Sequence, residues 1–84
     1  MTAPSELDAG IRSVLKQHGR LSQDADTLAD DADLYQAGMS SHASVNVMLG
    51  LEGQFDVEFP DRMLTRSVFS SIAAIRAALD ELLG

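Results

Sequence analysis

Apolar residues recur along the chain with helical spacing in three places. Leu7, Ile11, Val14 and Leu15 fall at i, i+4, i+7 and i+8, one face of a helix that opens near Pro4 or Ser5 and closes before Gly19. Ile72, Ile75, Leu79 and Leu82 repeat at spacings of three and four behind Ser70 or Ser71, either of which suits an N-cap, and predict the last helix. Between them, Gly38 punctuates the chain, the Ser40-Ser41 pair offers a cap, and a helix is expected to run to about Phe55, with Gly50 and Gly53 lowering its propensity. From Gly19 to Ser40 the periodicity fails. Five aspartates, Asp24, Asp26, Asp30, Asp31 and Asp33, alternate there with Leu21, Leu28, Leu34 and Tyr35, which predicts a long loop pinned by its apolar residues. Asp56 to Pro60 reads as an extended connection, and Asp61 as the cap of a brief third helix through Arg62, Met63 and Leu64.

The middle helix carries two kinds of apolar position. With about 100° per residue from Ser41 at zero, Ser44, Val47, Met48, Leu51 and Phe55 fall near 300°, 240°, 340°, 280° and 320°, the expected buried stripe. Val45 and Leu49 fall near 40° and 80°, outside that stripe and beside Ser41. They are either the edge of a wide core or a ridge left for a partner.

Composition narrows the classes of function. The 84 residues make one domain, 1–84, and a chain of this size buries only about 60% of its unfolded surface, leaving little room for a deep cleft. A hydrophobic content of 45% is enough to fold it. Thirteen acidic against six basic residues leave a net charge of −7, which repels phosphate backbones and anionic lipid, so nucleic acid and membrane are not expected as partners. There is no cysteine, hence no disulfide, thiolate metal site or cysteine nucleophile, and any thiol chemistry needs an imported thiol. No basic-then-apolar leader and no run of about 18 apolar residues is present, which points to a cytoplasmic protein, and a monomer is expected.

Candidate chemistry is sparse. His42 follows Ser41 directly, but helix neighbours point about 100° apart, and no nucleophile elbow surrounds the serine, so a serine hydrolase is not indicated. The aspartate-rich loop lacks the glycine and closing glutamate of a calcium loop. His18 lies in the basic stretch Lys16 to Arg20, where cations favour a helix C-terminus, and that placement needs no metal. Neither a catalytic group set nor a metal site is expected.

The run from Gly38 to Phe55, G-M-S-S-H-A-S-V-N-V-M-L-G-L-E-G-Q-F, resembles the signature of acyl carrier proteins, in which G-x-D-S-L opens the second helix and L-E-x-x-F closes it. Ser41 lies where the family's phosphopantetheinylated serine belongs. The likeness extends over almost the whole chain, through D-L-Y-Q-A-G before the helix and F-D-V-E-F-P-D after it. It implies an all-α, four-helix bundle with a long loop between helices one and two and a short third helix. It also implies 4'-phosphopantetheine held covalently on Ser41 by a phosphopantetheinyl transferase, with no catalysis by the chain itself. Two positions depart from the pattern: Ser40 stands where aspartate is usual, and His42 where leucine is usual. Glu52 is the only acid of the middle helix, unlike fatty-acid carriers.

The run S-S-H-A-S-V-N-V-M-L-G-L-E, with F-D-V-E-F-P and F-S-S-I, is similar to the aminoacyl carrier proteins. That resemblance implies loading by an amino acid:carrier protein ligase akin to seryl-tRNA synthetases, then delivery to a downstream acyltransferase or synthetase. His42, Val45 and Leu49 would then meet those partners. Two alternatives share the same residues: a carrier of fatty-acyl or polyketide-type groups, and an unmodified acidic adaptor docking through Val45 and Leu49.

Overall fold

A computed structural model describes residues 4–84, and all regular elements among them are helical. Helix α1 spans Pro4–Val14 and continues through a wider, π-type turn, Leu15–Gly19. Its predicted face is buried at Leu7, Ile11, Val14 and Leu15. Gly19 belongs to the last turn rather than lying past it; the left-handed residue that ends the helix is Arg20, at φ 53°.

The acidic stretch is a loop with one 3-10 turn, Ala25–Thr27, and most of its carboxylates have structural work. Asp24 caps that turn by accepting from the Asp26 N–H, and Asp33 accepts from the N–H groups of Tyr35 and Gln36. Asp26 pairs with Lys16. Of the expected pins Leu28 and Leu34 are buried and Leu21 and Tyr35 half-buried against the core, joined by buried Ala25, Ala37 and Met39, but a cation does as much. Arg12 donates from α1 to the carbonyls of Ala25 (2.5 Å) and Leu28 (2.9 Å) and to Asp30 (2.9 Å). Asp30 also accepts from Arg76 (3.1 Å), which pairs with Asp8 as well, so one carboxylate ties the loop to the first and last helices. Hydrogen bonding to Asp8 and then Asp30 raises the Arg76 pKa above its ordinary value.

Helix α2 spans Ser41–Phe55, as the capping pair predicts, and Ser40 is the cap: its hydroxyl accepts from the Ala43 N–H at 3.0 Å. It ends at Asp56 in the left-handed region, after which the Glu52 carboxylate accepts from the Phe59 N–H at 2.9 Å and folds the connection back. The expected short third helix is a single 3-10 turn, Asp61–Met63, in which Asp61 makes no capping bond. Polar turns follow to Ser71, whose hydroxyl caps helix α3, Ile72–Leu83. Three α-helices therefore stand where four helices were expected, because the segment after Pro60 buries only Met63 before the chain turns again at Thr65. Phe59 and Phe69 meet edge to face at 5.4 Å and close the core beneath it.

Helix α1 packs against both α2 and α3. Its contact with α2 is close because Gly50 presents no side chain: a Cβ there would lie 2.8 Å from atoms of both Val14 and His18. That small surface sets how α2 is rotated. Ala43, Val47 and Leu51 are its buried residues, so the buried face centres near 240°, roughly 60° from the expected stripe. Ala43, not part of the expected stripe, is buried, while Ser44, Met48 and Phe55 are only half-buried.

Candidate functional site

The site begins at the turn that delivers the chain to α2. Gly38 adopts φ 117°, a conformation that disfavours a side chain, and the Met39 N–H closes onto the Leu34 carbonyl at 3.0 Å. Met39 is buried and the next two residues are exposed. Ser40 spends its hydroxyl on the cap. Ser41, the first residue of the helix, is exposed, and among the described residues its hydroxyl has no hydrogen-bond partner. No acidic side chain lies in the first turn of α2, so the positive end of the helix dipole is not neutralised there. An oxyanion joined to the Ser41 Oγ would sit in that field.

Because α2 is rotated toward Ala43, its Ser44–Met48 edge is left facing a groove. The groove holds about 430 Å³ and is walled by Ser41, Ser44, Val45 and Met48 on one side, and by Tyr35, Leu64, Thr65, Arg66 and Phe69 on the other. Leu64 is 46% exposed at its rim, and the Arg66 guanidinium lies over the Tyr35 ring at 3.8 Å.

The structure brings only some of the predicted site residues together. Val45 shares the groove with Ser41 and is 51% exposed. Leu49, 55% exposed, lies outside the groove, a turn further along α2 on the same ridge. Both are too exposed to be core, which excludes the wide-core alternative for this ridge. His42 is exposed and lines no part of the groove. The second wall, Tyr35 and Leu64 to Phe69, is absent from the predicted set. Its one sequence signal is Leu64, a large apolar residue followed by the polar run Thr65 to Ser67.

The donor set fits a phosphopantetheine arm: a serine hydroxyl with no other partner among the described residues, at a helix start with a separate capping serine, lining a groove of about 430 Å³. A family described as "Phosphopantetheine attachment site" matches residues 11–79, most of the chain. The chain belongs to that family. It is 55% identical over 69 residues to an aminoacyl carrier protein of Agrobacterium fabrum (strain C58 / ATCC 33970), an alignment covering 82% of this chain and 83% of the relative.

Solved structures agree on the fold. One match is in a crystal structure of engineered Bradyrhizobium japonicum glycine:[carrier protein] ligase complexed with carrier protein from Agrobacterium tumefaciens and ATP. Its TM-score is 0.87 at 50% identity, over 90% of this chain and 99% of that one. The corresponding complex with AMP gives 0.84 at 52% identity, over 87% and 97%. A solution structure from Agrobacterium tumefaciens gives 0.72 at 51% identity, over 90% and 92%. The protein is thus an aminoacyl carrier protein homologue with a phosphopantetheine-binding fold. No described helix is long and apolar enough to cross a membrane.

Proposed function

We propose that this protein carries an activated amino acid as a thioester on a phosphopantetheine arm joined to Ser41, and that it is a shuttle rather than a catalyst. The observation that carries the proposal is the division of labour at the start of α2: Ser40 caps the helix, which leaves the exposed Ser41 hydroxyl available beside an apolar ridge. The arm supplies the thiol that the cysteine-free chain lacks. The chain's own residues hold its root at the helix dipole and present a surface for enzymes to grip.

An amino acid:carrier protein ligase resembling seryl-tRNA synthetases is the loading partner, a role supported by the likeness to a carrier complexed with a glycine:[carrier protein] ligase. Glycine is the first cargo to test. Val45 and Leu49 form the ridge that the ligase and a later acyltransferase or synthetase contact, and exposed His42 flanks it on α2. A phosphopantetheinyl transferase installs the arm. The protein works as a monomer in the cytoplasm.

Intact mass before and after incubation with coenzyme A and a broad-specificity transferase, followed by peptide mapping, tests the attachment. A gain of one phosphopantetheinyl group at Ser41, absent in Ser41→Ala, is the expected result; modification at Ser40 or Ser44, or none in a folded sample, refutes it. An unmodified protein that still binds partners through Val45 and Leu49 would instead be an adaptor. Once the arm is on, ligase-dependent loading should collapse in the Val45→Asp, Leu49→Asp double variant, and unchanged loading would remove the ridge from the recognition surface.

A further inference from the structure

Four of the six basic residues are committed to carboxylates: Arg12 to Asp30, Lys16 to Asp24 and Asp26, Arg62 to Glu81, and Arg76 to Asp8 and Asp30. Among the described residues Arg20 and Arg66 have no such partner, and of these two only Arg66 lines the groove that contains Ser41. Its guanidinium is held by other means. The central carbon lies 3.8 Å from the centroid of the Tyr35 ring, and Tyr35 is itself fixed, half-buried against the core with its N–H bonded to Asp33. Stacking occupies the flat face of a guanidinium and leaves its N–H edge to donate. That edge is a fork of donors available to an oxyanion, in a chain whose net charge of −7 otherwise repels one.

We propose that Arg66 is the protein's ligand for the phosphate at the root of the arm: its N–H edge donates to the phosphodiester oxygens, opposite the N-terminus of α2. The proposal rests on Ser41 as the attachment point. Held between a helix start and a stacked arginine, the phosphate directs the arm along the Leu64–Phe69 wall of the groove rather than away from the protein. Tyr35 acts as a positioning residue, since it sets the plane of the fork without touching the arm's phosphate.

The test compares apo and holo forms of the wild type, Arg66→Gln and Arg66→Lys, with loading at Ser41 verified by mass. In the wild type, attachment should shift the Arg66 Nε–Hε resonance, and the phosphorus resonance of the holo form should move in Arg66→Gln, with Arg66→Lys between the two. A spin label on the arm's thiol, the only thiol in the molecule, should broaden the amide signals of residues 64–69 in the wild type and lose that effect in Arg66→Gln. Arg66 is exposed and makes no ion pair among the described residues, so both variants should keep the wild-type fold by circular dichroism. A correctly loaded protein in which neither resonance responds and the broadening is unaltered overturns the role of Arg66 alone. Failure to load at Ser41 overturns the attachment assignment and this inference together.

Discussion

Gly50 and Gly53 lie on the same helix three residues apart, and the same substitution should move stability in opposite directions at the two. Replacing an exposed helical glycine by alanine ordinarily stabilises by about 0.5–1 kcal/mol. At Gly53 nothing lies within 4 Å of an added Cβ, so Gly53→Ala should realise that gain. At Gly50 the new methyl would lie 2.8 Å from the Val14 Cγ1 and 2.8 Å from the His18 Cδ2. His18 is half-buried and can swing, but Val14 is only 4% exposed and has nowhere to go. Overpacking of this kind costs about 1–3 kcal/mol, which leaves Gly50→Ala destabilising by roughly 0–2.5 kcal/mol after the propensity gain.

For a domain of this size each kcal/mol is worth about 4–8 °C in Tm, so thermal melts followed by circular dichroism separate the two variants readily. Trimming the obstacle supplies an internal control. Val14→Ala combined with Gly50→Ala should be less destabilising than the sum of the single changes, a favourable coupling in a double-mutant cycle. Equal stabilisation by both glycine substitutions, or strict additivity with Val14→Ala, would refute the close approach of α1 and α2 on which the rotation of α2 depends.

Gly38→Ala should lower stability by about 1–2 kcal/mol in denaturant melts, because an alanine must adopt φ 117° with its Cβ 3.1 Å from the Ser22 nitrogen; unchanged stability would mean the turn before Ser40 can relax. Asp30→Ala removes the acceptor shared by Arg12 and Arg76. With the Arg12 side chain only 17% exposed, the loss should be about 1–2 kcal/mol by the same melts, and a neutral result would show that the Asp30 ion pairs do not hold the loop. Hydrogen bonding to Asp26 raises the Lys16 pKa above its ordinary value. The stability this pair contributes is therefore complete below the ordinary lysine pKa and lost as pH rises through the raised folded value. Wild type and Lys16→Met should differ by a constant small amount through neutral pH and converge only in strong alkali, and convergence at neutral pH would contradict the pairing.

What the sequence determined by itself was local. The period of Leu7, Ile11, Val14 and Leu15 and that of Ile72, Ile75 and Leu79 require helices, whatever they pack against, because each would otherwise leave an apolar stripe in water. The Ser40-Ser41 pair marked the start of α2, since capping depends on groups only three residues apart, while the structure shows that Ser40 is the one that caps. The brief third helix was less legible because one buried residue, Met63, is too little periodicity to distinguish an α-helix from a 3-10 turn.

Tertiary structure decided the rotation of α2 and everything that follows from it. A helical wheel weighs side chains by polarity, and on that scale Ala43 and Gly50 are nearly silent. In the fold the missing side chain of Gly50 is what lets α2 approach α1, in a rotation that buries Ala43 and turns Ser44, Val45 and Met48 toward a groove. The opposite wall comes from Tyr35 and residues 64–69, and the anchoring of the loop by Arg12 and Arg76 joins positions as far apart as 30 and 76. Such pairings depend on chain segments that meet only after folding, and no local pattern encodes which segments those are.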